Sequence, residues 1–244
     1  MTELADVFWA AHTDLPREAP GSVRTTELLL ALAGPLPDRP RTVDVGSGTG
    51  PASVLLAELT GGEVTAVDLH APFLAAVTER ARGAGVADRV HPLRASMDSL
   101  PLQPGSVDLV WAEGSAYAVG VDAALAAWRP LLAPGGVVVL TEAEWTTADP
   151  APGARAFWDP GYPAMRDTAG NVAAFRAAGW VVQAAYLLPD ADWAAYYDPL
   201  AARIEQLRAE GVDPALLDQV GEEIAVREAH AGDYGYTGYV LRPR

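Results

Sequence analysis

The chain has 244 residues, 50% hydrophobic and 20% charged, which suits one large domain with a core of its own. Its 17 basic residues are all arginine, and 32 acidic residues leave a net charge of −15, which disfavours phosphate backbones and anionic membrane surfaces as partners. Cysteine is absent, and with it disulfides, thiolate metal sites and cysteine nucleophiles.

The opening MTELADVFWAAHTDL has no basic segment before an apolar run, so no signal peptide is expected. No stretch reaches the roughly 20 apolar residues of a bilayer span, and the expected location is cytoplasmic. A loop, DLPREAPGS, precedes a predicted helix over Thr25–Ala33, which Pro35, Pro37 and Pro40 stop. Strands and helices then alternate. Strands are predicted at Arg41–Val45, Glu63–Val67, Val90–Arg94, Val107–Ala112 and Val137–Leu140. Helices are predicted at Ala52–Leu59, Ala71–Gly83 and Val121–Leu132. Such alternation predicts a parallel sheet covered on both faces, doubly wound through right-handed crossovers. The segment Trp145–Tyr162 reads as too irregular for the scaffold. Val172–Ala178 is a predicted helix and Trp180–Leu188 a strand. Asp192–Glu210 and Asp213–Ala229 follow as helices, the second with an Asp213 cap and Pro214 at its first position. Tyr234–Leu241 is the last predicted strand. The expected fold is therefore α/β: a Rossmann-like, seven-stranded, mostly parallel sheet whose last strand is antiparallel. One domain spans 1–244, with 1–40 as an N-terminal lid, 41–145 as the core, and 146–244 as substrate-side insertions plus the last two strands.

The sharpest local signal is Val43-Asp44-Val45-Gly46-Ser47-Gly48-Thr49-Gly50, which ends a strand and opens a helix. Glycines there permit a tight turn and close approach of a ligand to the backbone. Asp68 ends the next strand, 22 residues after Gly46, at a spacing that suits a ribose diol. The pattern departs from the dinucleotide fingerprint, because Pro51 follows and the third glycine comes one residue early. Asp44 beside the loop would repel a phosphate but tolerate a ligand carrying an amino group and a sulfonium.

These residues resemble class I S-adenosylmethionine-dependent methyltransferases. VDVGSGTG is similar to their first motif and AVDLH to the second. ASMDSLP, VDLVWAEG and LLAPGGVVVLTE are similar to the later ones. Peripheral segments resemble a bacterial subgroup of the ubiquinone/menaquinone-biosynthesis type. These are Leu15-Pro16-Arg17 with Pro20-Gly21-Ser22, Glu113-Gly114 with Tyr117 and Gly120, Glu142 with Trp145, Phe157-Trp158, Tyr162-Pro163 and Gly232–Tyr236. The resemblance implies transfer of a methyl group from S-adenosylmethionine, leaving S-adenosylhomocysteine, to N or O, or else C, of a small-molecule metabolite. Alternatives are the α-amine of a peptide, or a protein that binds the cofactor without catalysis.

On this reading the cofactor is held by Arg17, Gly21, Asp44, Gly46, Ser47, Gly48, Asp68, Leu69, Ser96, Met97, Asp98 and Glu113. Glu113 and Tyr117 are the catalytic candidates: Glu113 to orient or deprotonate the acceptor, Tyr117 to line the transfer pocket. Their alternatives are a loop contact and simple packing. His12, Tyr117, Glu142, Trp145, Trp158, Tyr162 and Tyr234 are candidates for the acceptor site, with core packing as the alternative for each aromatic. None of the four histidines has a zinc-ligand spacing, so no metal is expected. Expected partners are a small-molecule or peptide acceptor, without nucleic acid or membrane, in a monomer or homodimer.

Overall fold

The computed structural model describes residues 3–244; the first two residues of the N-terminal segment lie outside it. Seven strands form one sheet: β1 (Arg41–Val45), β2 (Glu63–Asp68), β3 (Val90–Arg94), β4 (Val107–Glu113), β5 (Leu132–Trp145), β6 (Trp180–Leu187) and β7 (Tyr234–Pro243). Their order is β3-β2-β1-β4-β5-β7-β6. β3, β2, β1, β4 and β5 pair in parallel, whereas β7 runs antiparallel to both neighbours. The expected architecture is thus the observed one.

Alternate residues of each strand feed opposite cores. Val43 and Val45 of β1, with Val138 and Leu140 of β5, pack beneath α5 (Val121–Trp128) and α7 (Thr168–Ala177). Val64, Ala66 and Trp111 pack on the other face, under α2 (Val23–Leu32), α3 (Pro51–Thr60) and α4 (Ala71–Gly83). Burial on both faces explains the continuous apolar runs of the two central strands, Leu109–Ala112 of β4 and Val137–Leu140 of β5.

A third core rises beyond the carboxyl edge of the sheet. β5 continues four residues past Thr141, which pairs with Glu113 at the end of β4, and pairs there with β7 alone, Glu142 to Thr237 through Trp145 to Tyr234. α1 (Leu4–Ala11), α6 (Pro152–Gly161), α8 (Asp190–Ala209), α9 (Pro214–Val220) and α10 (Glu222–His230) close over this projecting arm.

Four local expectations change. The Pro134-Gly135-Gly136 turn lies inside β5, which starts at Leu132, and a register shift between Val107 and Leu109 absorbs it. The irregular segment before Tyr162 holds α6, started by Pro152 in the first turn, where proline's missing N–H costs nothing. α1 was not expected; Val7 and Ala11, four residues apart, bury one face of it. The last predicted helix is two helices, broken at Gly221; the Asp213 cap stands, its carboxylate accepting from Ala215 N at 2.9 Å.

Candidate active site

Strand order reverses between β1 and β4, which opens a crevice at their carboxyl ends, the usual ligand position in such sheets. A cleft of about 330 Å³ occupies it, floored by the glycine loop after β1. Gly46 and Ser47 N–H both donate to Val67 O, which ties the loop to β2. Gly46 has φ +70, and a Cβ there would stand 2.4 Å from Ser115 Cβ, so only glycine fits. Asp68 Oδ2 accepts from Gly48 N at 3.0 Å and Oδ1 from His70 N at 2.8 Å, so the carboxylate is fixed against the loop. Asp44 is buried and accepts from Ser53 Oγ at 2.6 Å. Burial, with Glu113 and Asp68 nearby, pushes its carboxyl up to about 7.

The loop before α2 reaches over this cleft. Arg17 is buried and donates through Nη2 to Glu113 Oε2 at 3.0 Å. Its Nη1 has no partner in the protein, a buried donor left for an anionic ligand group. Glu113 also accepts from Thr26 Oγ1 at 2.7 Å and Trp111 Nε1 at 3.0 Å. With three donors on its two oxygens, Glu113 is built to hold Arg17; it lines the first cleft and not the second cavity described below. Gly21 does not line the cleft; a Cβ on it would lie 2.4 Å from Arg17 Nη1, so its part is to make room for the guanidinium.

The remaining cofactor candidates divide. Ser47, Gly48 and Met97 line the cleft. Leu69 is 60% exposed and lies off it. Ser96 Oγ donates to Asp98 Oδ1 at 2.6 Å, and this exposed pair also stands away from the cleft. Met97 O instead accepts from Trp128 Nε1 at 2.8 Å, which anchors the segment.

A second cavity, about 500 Å³, adjoins the first; Tyr117, Gly114 and Glu18 line both. Its walls are mainly aromatic. His12, Trp158 and Tyr162 line it as expected of acceptor candidates. Tyr117 is 43% exposed, its ring centroid 6.0 Å from that of Tyr162. Trp145 and Tyr234 do not line it and belong to the core behind: Trp145 beneath Arg155, Tyr234 between Trp158 and Trp193. Glu142 is also behind the wall, buried, with neither oxygen hydrogen-bonded. Burial pushes it up to about 7, against the opposing influence of the Tyr162 hydroxyl. Glu144, two residues on, is by contrast saturated: it accepts from Tyr239 OH at 2.6 Å, Asn171 Nδ2 at 3.1 Å, and the hydroxyls of Thr168 and Thr237. No group of three or more metal-ligating side chains occurs among the described residues.

Several site residues escaped sequence reasoning. Glu18 sits over the loop, accepting from Thr49 N at 3.2 Å, with its other oxygen buried and unpartnered; burial raises its carboxyl. Trp9 stacks on His70, ring centroids 3.8 Å apart, and so links α1 to the end of β2. Tyr196 and Glu223 line the second cavity from α8 and α10. Only Glu18, adjacent to Arg17, carried a signal; Trp9 lies on α1, which was not expected, and Tyr196 and Glu223 lie on helices in which no motif marked them.

Residues 42–136 match the family profile described as a methyltransferase domain. The matched segment contains the glycine loop, Asp68 and Glu113, which line or border the first cleft. An uncharacterized protein of Synechococcus sp. is 39% identical over 102 residues, covering 41% of this chain and 24% of its own length. A dimethylglycine N-methyltransferase of Parasynechococcus marenigrum is 36% identical over 129 residues, covering 51% of this chain and 45% of its own. The chain thus matches less than half the length of these two curated relatives. Over the whole chain the likeness is structural. A methyltransferase from Geobacter sulfurreducens, crystallised with S-adenosylhomocysteine, superposes with a TM-score of 0.87 over 100% of both chains at 21% identity. That likeness establishes a shared fold.

Proposed function

We propose that this protein transfers a methyl group from S-adenosylmethionine to a nucleophilic atom, N or O, of a small molecule. The observation that carries this reading is the meeting of two unlike cavities across Tyr117 and Gly114: one floored by the glycine loop and Asp68, the other walled by aromatic rings. The first suits the cofactor. Asp68 accepts from a ribose diol, the loop backbone allows close approach, and the orphaned Nη1 of Arg17 receives a carboxylate. When bound, S-adenosylmethionine would supply an electrophilic sulfonium methyl for in-line attack, with its sulfur as the leaving group. The chain's own contribution is to align the acceptor and keep water out. Glu113 positions Arg17, and Tyr117 stands where the methyl crosses. Segments 1–40 and 146–244 serve as the lid and acceptor wall, in keeping with the resemblance to the ubiquinone/menaquinone type.

Titration calorimetry with S-adenosylhomocysteine tests the assignment. Micromolar binding by the native protein, weakened at least tenfold in Asp68→Ala, is the expected outcome. A folded native protein that does not bind it would overturn the reading.

A further inference from the structure

The second cavity has a chemical bias that its aromatic walls alone do not express. Three ionisable acid–base side chains other than tyrosine line it: His12, Glu18 and Glu223. No arginine lines it, and the chain has no lysine. Aromatic faces attract cations through their quadrupoles, and a carboxylate in a poorly hydrated cavity does so more strongly still.

Three of the lining residues are also joined in a chain. His12 Nδ1–H donates to Phe8 O at 2.8 Å, which leaves Nε2 facing the Tyr196 hydroxyl at 3.1 Å. The same hydroxyl lies 3.2 Å from Glu223 Oε1. It has one proton to give, so two arrangements are consistent. In one, Tyr196 donates to a neutral His12 and accepts from a protonated Glu223. In the other, a cationic His12 donates to Tyr196, which donates to an ionised Glu223. Both hold the same number of protons and differ by two short hops. Burial lowers the pKa of His12 and pushes Glu223 up to about 7, so near neutrality an empty cavity favours the first. Tyr196 and Tyr197 from α8, Tyr117 after β4, and Tyr234 and Tyr236 from β7 also feel Glu223, and all are neutral phenols in this range.

We infer that the second cavity binds an aliphatic amine in its ammonium form, with Glu223 as countercharge and the Glu223–Tyr196–His12 chain as the store for its proton. The inference rests on the methyl-transfer reading and names the acceptor class. For such an acceptor the step balances simply. The ammonium N–H bond breaks, its electron pair stays on nitrogen as the nucleophile, and the proton forms an O–H bond on the Glu223 carboxylate. The chain can pass it on to His12 Nε2 through Tyr196.

Calorimetry on protein saturated with S-adenosylhomocysteine tests this, with choline as the cationic probe. Its neutral counterpart is 3,3-dimethylbutan-1-ol, in which carbon replaces nitrogen. The expected result is at least tenfold tighter binding of choline, with net proton release at pH 7 when buffers of different ionisation heat are compared. Glu223→Gln should bring the two affinities together and abolish the release, while leaving S-adenosylhomocysteine affinity in place. Equal affinity for both probes in the native protein overturns the inference, as does a choline preference that survives in Glu223→Gln. Failure to bind S-adenosylhomocysteine at the outset would instead overturn the methyl-transfer reading.

Discussion

Arg17 shows how one side chain joins two parts of the site. Nη2 is committed to Glu113, whose other donors, Thr26 and Trp111, come from α2 and β4. Nη1 is buried without a partner, and a buried guanidinium donor is retained at a cost unless a ligand completes it. Arg17→Ala should weaken S-adenosylhomocysteine binding roughly 10- to 100-fold, the range for one lost charge-assisted hydrogen bond. Arg17→Lys should not restore it, because an ammonium cannot serve Glu113 and the ligand through a fixed fork. Unchanged affinity in Arg17→Ala, measured by calorimetry, would remove this residue from the site. The sequence placed Arg17 beside a family-like loop but left Glu113 open between base and loop contact. Its three donors come from positions 17, 26 and 111, and nothing in a linear reading joins those positions.

Among the elements, α1 and β7 reach the second cavity, through Trp9 and Tyr236. α1 is pinned at its buried face by Val7 and Ala11 and at the cleft by Trp9 stacked on His70. That stack spans the lid and the carboxyl end of β2, next to Asp68. Trp9→Ala should therefore speed S-adenosylhomocysteine dissociation about two- to tenfold, as loss of one aromatic pair implies. Its thermal midpoint should move little, since Trp9 is 39% exposed. Stopped-flow dissociation rates check this; an unchanged rate would mean that α1 does not close on the cofactor. Gly221 has a comparable effect on a smaller scale. By ending α9 it lets α10 start afresh, which sets Glu223 in the first turn of α10 and against the cavity. The sequence suggested one continuous helix there, because a glycine inside an apolar period reads as tolerated.

For the molecule as a whole, the notable energetic feature is a set of carboxyls held above their ordinary range. Burial pushes Asp44, Glu142 and Glu223 each up to about 7. Each binds its proton more tightly folded than unfolded, so its contribution is fully present below about pH 4 and lost as pH rises through about 7. Stability should accordingly fall between pH 5 and pH 8, in the same direction as growing self-repulsion from a net charge of −15. Glu142→Gln separates the two causes. Removing this unpartnered carboxyl should raise stability at pH 8 by about 1–3 kcal/mol and flatten the profile, with little change at pH 5. Urea melts at the two pH values measure it; a slope unaltered by the substitution would assign the pH dependence to general repulsion. No helix among the described residues is long and apolar enough to cross a membrane.

The sheet was legible from residue order alone. Parallel strands buried on both faces must be short apolar runs, and the glycine loop with Asp68 one strand later can sit only where β1 and β2 end together. Those constraints are local in sequence, so Arg41–Val45, Ala71–Gly83 and Val90–Arg94 were read with the bounds the structure has. The acceptor cavity was not legible. Its walls come from α1, α6, α8, α9, α10 and Tyr236 of β7, elements far apart along the chain whose aromatic residues read equally well as ordinary core. Whether an aromatic side chain faces a cavity or the packing behind it depends on how those elements cross. Tertiary contacts alone settle that, and they put Tyr162 and Trp158 on the cavity wall and leave Trp145 and Tyr234 behind it.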